Sequence, residues 1–298
     1  RPADAARFRS LYEKRKACFN ATFVRAAKKT LATGRSGFGP GRGAADAAPV
    51  FRLADTQTSY AVGLGLGVFD PENVPFMAGN LAAAVARENA DDDGVLRPKH
   101  SLMTGFIGTS WISKALSDNG LSELAYRLLH NDRYPSWLYP VDQGATTIWE
   151  RLDGYTTEKG FGGNNSMNSF NHYSFGAVGQ WMIAHSLGIQ RDEPGFRRFI
   201  LQPEPDPSGV MTWAEGHYDS MYGRIRSAWK ADGSVLSYRA TVPPNTTATL
   251  YLPARSFAAV KEGGSDASAA KGVTLLRCEG GKAVYMLESG TYDFTVRP

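Results

Sequence analysis

The feature that most limits how this chain can fold is a change of period. Up to about residue 194 the apolar residues recur at helical intervals, and beyond it they alternate. In the opening segment Phe8, Leu11, Tyr12, Phe19 and Phe23 are placed to share a helix face. Further helices are predicted from Pro75 to Asn89, from about Thr104 to Leu116, and from Ser122 to His130, where Leu124, Leu128 and Leu129 share a face. A last segment, Tyr173 to Leu187, closes the series at Gly188, a residue that takes the left-handed conformation after a helix end at little cost. Farther on, Val235, Ser237 and Arg239 fall on one face of an extended segment and Leu236, Tyr238 and Ala240 on the other; Leu250 and Leu252 alternate with Tyr251. Asp232-Gly233, Gly280-Gly281 and Ser289-Gly290 punctuate these runs where hairpins need residues tolerant of positive φ. A period of 3.6 and a period of 2 cannot share one layer, so the chain divides into a helical part, residues 1–194, and an antiparallel β-sandwich, residues 195–298. The Pro-rich stretch Leu201 to Gly209 lies near the start of the second part, and "FRRFILQP" can supply an opening strand.

Composition narrows the functional classes. With 298 residues and 42% hydrophobic content the chain can bury a sizeable core. The 33 Lys and Arg against 29 Asp and Glu leave a small, scattered excess, so a nucleic-acid groove is not expected. No apolar run approaches the roughly 20 residues that span a bilayer, and no membrane partner is expected. Cys18 and Cys278 lie near opposite ends, which points to free, partly buried thiols. The five histidines form no close pair, so no metal site is expected and no cofactor is called for. The glycines of "VGLGLGVF" lack the spacing and context of a phosphate-binding loop, leaving helix packing as their role. No G-x-S-x-G occurs. The chain opens on Arg1-Pro2-Ala3, which suggests a piece of a longer polypeptide and leaves the compartment open. The sequons Asn20-Ala21-Thr22 and Asn245-Thr246-Thr247 do not settle it.

Chemistry concentrates between Asp142 and Trp181, where carboxylates, aromatics, amides and a histidine share a long irregular stretch. This is a carbohydrate-processing mixture: glycosidic cleavage takes two carboxyl groups, and aromatic rings meet the apolar faces of sugars. Glu150, between Trp149 and Arg151, is the candidate for the carboxylate that attacks or activates water; the other reading pairs it with an arginine at a helix end. His172 is either a sugar contact or a half-buried ring beside Tyr173. Trp137 and Trp149 are either sugar platforms or core residues, with the core the better fit for at least one of them.

The segments "YPSWLYPVDQGATTIWERLDG", "MNSFNHYSFGAVGQW" and "GFRRFILQPEPDPSGVMTWAEGHYDSMYGRI" closely resemble the C-terminal half of the bacterial and fungal α-L-rhamnosidases of glycoside hydrolase family 78. "TQTSYAVGLGLGVF" and "SLMTGFIGTSWISKALSDNGLSELAYRLL" resemble the same family's preceding helices. The resemblance implies the later helices of an (α/α)6 barrel followed by a β-sandwich, and inverting hydrolysis of terminal α-L-rhamnosyl residues from rhamnose-containing oligosaccharides or glycosides. It makes Glu150 of "ATTIWE" the general base and His172 of "NHY" a rhamnose contact. The family's general acid belongs to an earlier acidic, Trp-containing motif that nothing before Glu150 resembles, and none of Asp142, Asp153 and Glu158 matches it. The expected partner is therefore the missing N-terminal part of the same polypeptide, and the chain by itself is expected to be catalytically crippled. The alternatives are a non-catalytic carbohydrate-binding fragment, or another (α/α)6 glycosidase of trehalase-like or glucoamylase-like type.

Overall fold

Helices come first and strands second in the computed structural model, which describes residues 1–33, 52–162 and 166–297. Six α-helices lead the order: α1 Pro2–Phe23, α2 Gln57–Gly65, α3 Val74–Ala86, α4 Gly105–Asp118, α5 Ser122–His130 and α6 Leu138–Asp142. Short strands lie between them, β1 Val24–Arg25, β2 Thr30–Thr33, β3 Arg52–Leu53, β4 Asn89–Ala90 and β5 Leu96–Arg97. Cα proximity divides the chain into two compact units, Arg1–Gly176 and Ala177–Pro298.

In the first unit, α2 starts where the Thr56 hydroxyl accepts the Ser59 amide at 3.2 Å. The expected helix-packing role of the glycines follows from what surrounds them. A Cβ on Gly63 would lie 2.4 Å from the Phe69 ring, one on Gly65 2.2 Å from the Trp111 indole of α4, and one on Gly108 2.6 Å from the Thr58 hydroxyl. Glycine at 65 and 108 lets α2 and α4 approach closely, with Tyr60, Ile112 and Leu116 buried there, and at 63 it makes room for the Phe69 ring, whereas Gly67 lies past the end of α2 at a φ of 66° and serves no packing between helices. On α1 the predicted stripe splits. Phe19 packs on Phe23 and Phe69, whereas Phe8, Leu11 and Tyr12 are exposed.

The second unit begins with one helical turn, α7 Val178–Trp181, that runs into a π-helical turn, Met182–Ser186. The segment expected as one helix from Tyr173 to Leu187 is thus three short pieces, beginning with the 3₁₀ turn Ser174–Ala177. Eleven strands follow: β6 Ile189–Arg191, β7 Arg198–Leu201, β8 Trp213–Ser220, β9 Gly223–Asp232, β10 Val235–Val242, β11 Thr247–Leu252, β12 Val260–Glu262, β13 Ser265–Asp266, β14 Val273–Glu279, β15 Lys282–Leu287 and β16 Gly290–Val296. They form a six-stranded sheet in the order β13-β12-β16-β10-β9-β8 and a five-stranded sheet in the order β14-β15-β11-β7-β6. Ile225, Trp229, Tyr238 and Phe294 of the first meet Phe199, Leu250, Tyr285 and Leu287 of the second in one core. All strand pairs in these two sheets are antiparallel except β7 with β11, where Phe199 registers with Ala248. The period change at 194 falls inside this unit because the preceding turns are tied to the sheets. Trp229 Nε1 donates to the Ser186 carbonyl at 2.8 Å, and Ser227 Oγ to the Leu187 carbonyl at 2.6 Å.

Both cysteines are free and exposed, not partly buried: Cys18 lies on α1 and Cys278 on β14, where residues 276–279 are all exposed. Among the described residues no helix is long and apolar enough to cross a membrane, and no group of three or more His, Cys, Asp or Glu could hold a metal ion.

Candidate active site

The candidate residues converge on a short piece of paired backbone. The Glu150 amide donates to the Ser169 carbonyl at 2.8 Å, and the His172 amide to the Ile148 carbonyl at 2.8 Å. Thr147 Oγ1 adds a bond to the Phe170 carbonyl. Glu150 and His172 are thereby carried on two neighbouring, hydrogen-bonded segments. Gly163, Asn164 and Asn165 of the glycine and asparagine cluster lie outside the described residues.

Trp149 holds this pairing from behind. Its indole is 6% exposed and meets Phe170 edge-on at 5.0 Å and Tyr155 at 6.4 Å. Phe161 closes the cluster against Tyr155 at 5.2 Å and Phe170 at 5.6 Å. Such edge-to-face contacts add about 0.5–1.5 kcal/mol each beyond the area they bury. Trp137 is also buried, and its Nε1 donates to the Phe175 carbonyl at 2.8 Å.

Glu150 lines a cavity of about 750 Å³ together with Asp55, Arg87, Asp91, Arg97 and Tyr134. Ser169 N–H donates to Glu150 Oε2 at 2.9 Å. No hydrogen bond or ion pair engages Oε1 among the described residues. Asp153 lines the same cavity and lies 3.6 Å from Arg151 Nε. Asp142 and Glu158 do not line it.

Four of the cavity's other charges are tied in two pairs, whereas Glu88 and Asp92, which also line it, have no ion pair among the described residues. Asp55 accepts Arg87 at 2.8 Å and the Tyr60 hydroxyl at 2.9 Å. Arg97 Nε donates to Asp91 at 2.7 Å, and its guanidinium lies over the Tyr134 ring at 4.7 Å. The Val95 amide, donating at 2.8 Å, with Arg97 beside it, holds the Asp91 carboxyl below the usual carboxylate range. Sequence reasoning missed Asp55, Arg87, Asp91, Arg97 and Tyr134. One local signal was present: Asp91 and Gly94 bracket a tight turn that pairs Asn89 with Arg97.

His172 is half-buried, stacked between Phe106 at 4.8 Å and Tyr173 at 5.5 Å. Its Nδ1 accepts the Ser174 amide at 3.4 Å, so the neutral ring carries its proton on Nε2 and presents a donor. The imidazole is not among the cavity-lining residues, but Phe106 and Phe175, which contact each other at 5.4 Å, are. Neither Trp137 nor Trp149 lines the cavity.

Residues 1–185 match the sequence model of the bacterial alpha-L-rhamnosidase 6 hairpin glycosidase domain, and residues 188–266 that of the bacterial alpha-L-rhamnosidase C-terminal domain. The chain belongs to the bacterial α-L-rhamnosidase family. Its helical unit is accordingly part of the family's six-hairpin barrel, followed by the β-sandwich. Among curated relatives, an alpha-L-rhamnosidase of Formosa agariphila is 34% identical over 245 residues, 81% of this chain and 25% of the relative. One of Streptomyces avermitilis is 35% identical over 242 residues, 81% of this chain and 22% of the relative. The crystal structure of the Streptomyces avermitilis alpha-L-rhamnosidase complexed with L-rhamnose superposes with a TM-score of 0.77 at 31% identity, over 98% of this chain and 24% of that one. The structure of the Dictyoglumus thermophilum alpha-L-rhamnosidase gives 0.75 at 28% identity, over 99% and 29%. The chain thus spans about a quarter of the length of the curated relatives it matches.

Proposed function

We propose that this chain supplies the general-base side of an inverting α-L-rhamnosidase site that removes terminal α-L-rhamnosyl residues from rhamnose-containing glycosides. Glu150 is the base. The observation that carries this reading is the division of labour between its two oxygens: Oε2 is anchored by the Ser169 amide, while Oε1 has no partner among the described residues. An anchored carboxylate with one free oxygen facing a cavity can take a proton from water without first breaking a bond of its own. His172, with its proton on Nε2, donates to a sugar hydroxyl. Trp137 and Trp149 support the site from the core and do not stack on the sugar.

Inversion needs a second carboxyl group, roughly 6.5–9.5 Å from the first, to protonate the leaving oxygen while water enters from the opposite face. The reading assigns that acid to the parent polypeptide outside these 298 residues. Asp91, whose carboxyl the Val95 amide and Arg97 hold below the usual carboxylate range, is a poor proton donor.

The test compares p-nitrophenyl α-L-rhamnoside hydrolysis by the parent-length enzyme, its Glu150→Gln variant and this chain. The expected result is activity in the first alone, with the β-anomer of rhamnose as the first product seen by proton NMR. Full activity in the Glu150→Gln enzyme, or the α-anomer appearing first, would sink the assignment.

A further inference from the structure

The outward face of the six-stranded sheet carries a shallow depression of about 450 Å³ that the active site does not use. Register fixes its construction. Trp213 of β8 lies opposite Lys230 of β9, which lies opposite Ser237 of β10. One step along, Glu215 lies opposite Ala228, Ala228 opposite Arg239, and Arg239 opposite Asp293 of β16. Residues directly opposite one another share a face. The two short side chains, Ala228 and Ser237, therefore make a low floor, while the long ones stand around it. The run from β8 to β16 crosses three strand spacings, about 14 Å.

At one end of this floor is the Trp213 indole, 62% exposed on the sheet's edge strand. An indole left in water forfeits the burial free energy that a large aromatic ring usually provides. On the opposite side of the sheet, Trp229 and Tyr238 are fully packed, so the unit does not lack room for aromatic rings. The rim is polar in both senses. Arg239 and Asp293 form a loose cross-strand pair at 3.4 Å. Glu215 and Lys230 have no ion-pair or hydrogen-bond partner among the described residues. Two acids and two bases leave no net charge, which disfavours a strongly ionic ligand. A protein partner would be expected to bring a larger apolar patch than one ring. An apolar platform beside both donors and acceptors suits a ligand with an apolar C–H face and a rim of hydroxyls, which is a pyranose ring.

We propose that this face binds a neutral stretch of a polysaccharide chain, with one sugar stacked on Trp213 and its neighbours hydrogen-bonded to Glu215, Lys230 and the Arg239–Asp293 pair. It would hold the polymer independently of hydrolysis, since Glu150 takes no part in it.

The test is affinity electrophoresis of the full 298-residue chain in gels containing dextran, xyloglucan, polygalacturonate or no polysaccharide. We expect retardation by a neutral polysaccharide. Trp213→Ala should weaken it about tenfold, the size of one lost aromatic contact, whereas Trp213→Tyr and Glu150→Gln should retain it. Because Trp213 is largely exposed, its replacement leaves the core intact, and an unchanged melting curve checks this. Four outcomes would overturn the proposal. These are no retardation by either neutral polysaccharide, equal retardation of Trp213→Ala, retardation by polygalacturonate alone, or a dimer in sedimentation that Trp213→Ala abolishes, which would make the ring a protein contact.

Discussion

Two antiparallel backbone pairings in this molecule do opposite things. Between β9 and β10 the ladder runs without interruption from Val235 opposite Asp232 to Thr241 opposite Arg226. Every second side chain of β10 from Leu236 to Val242 is buried. The pairing of 148–150 with 169–172 has only a few bonds, buries Trp149 on one side and leaves Glu150 and His172 half-exposed on the other. The long ladder derives its stability from repetition. The short one is held by four aromatic rings behind it, which frees its front face for polar groups that a core would exclude. Chemistry and stability are thus assigned to different stretches of backbone, and substitutions should separate them.

The sharpest separation is Glu150→Gln in the parent-length enzyme: kcat/KM on the aryl rhamnoside should fall by about 10²–10⁴, with the melting temperature unchanged. A comparable loss of stability would mean that the carboxylate is a strut for the Ser169 segment. The converse is Trp229→Ala. Removing this 2%-exposed ring should cost about 3–5 kcal/mol, seen as lost hydrogen-exchange protection across β9 and β10, while the Glu150 and Ser169 amides keep theirs. Trp137→Phe lies between the two. It leaves the buried Phe175 carbonyl without its donor, which should cost about 1–3 kcal/mol and, because Phe175 follows His172 closely, raise KM more than it lowers kcat.

The smallest effect concerns pH. Burial, with Arg127 and Lys99 nearby, holds His100 below its ordinary value of 6.5. The neutral ring is therefore favoured in the folded state. Its contribution is complete above pH 6.5, declines as the unfolded chain takes up a proton below that value, and stops changing once the folded His100 itself protonates. Melting temperatures of the wild type and of His100→Asn, which tolerates the positive φ of 62° at this position, should converge as pH drops from 7.5 to 5. Parallel curves would assign the acid sensitivity elsewhere.

The same comparison explains what could be read from sequence. In β10 the alternation of Leu236, Tyr238 and Ala240 against Ser237 and Arg239 is the burial pattern itself, because each strand residue has only two directions to face. Helix α5 was legible to the residue, since its apolar face and charged ends agree. The segment after Tyr173 was not. Its apolar spacing suits any right-handed helix and does not distinguish 3₁₀, α and π turns, which tertiary hydrogen bonds select. At the site, Glu150 and His172 were found through motif resemblance and residue type. Asp55, Arg87 and Arg97 were invisible because helices and loops far apart in the chain bring them to one cavity, and no local period encodes that. The exposed stripe of Phe8, Leu11 and Tyr12 shows the limit from the other side: periodicity locates a helix face without saying what covers it.

The buried Asn20 has a practical consequence for producing the protein. Both hydrogens of its amide are committed, one to the Val68 carbonyl at 2.7 Å and one to that of Lys16 at 2.9 Å, and its oxygen accepts the Asp70 amide at 3.1 Å. Yet Asn20-Ala21-Thr22 is an acceptor sequence for N-linked glycans. A secretory host that attaches a glycan there during synthesis would replace one of those hydrogens with a sugar before α1 can dock. Asn245, exposed in the turn before β11, would carry the same modification harmlessly. Thr22→Ala removes the signal and leaves the amide in place, so yeast-made material should fold with that single change and misfold without it.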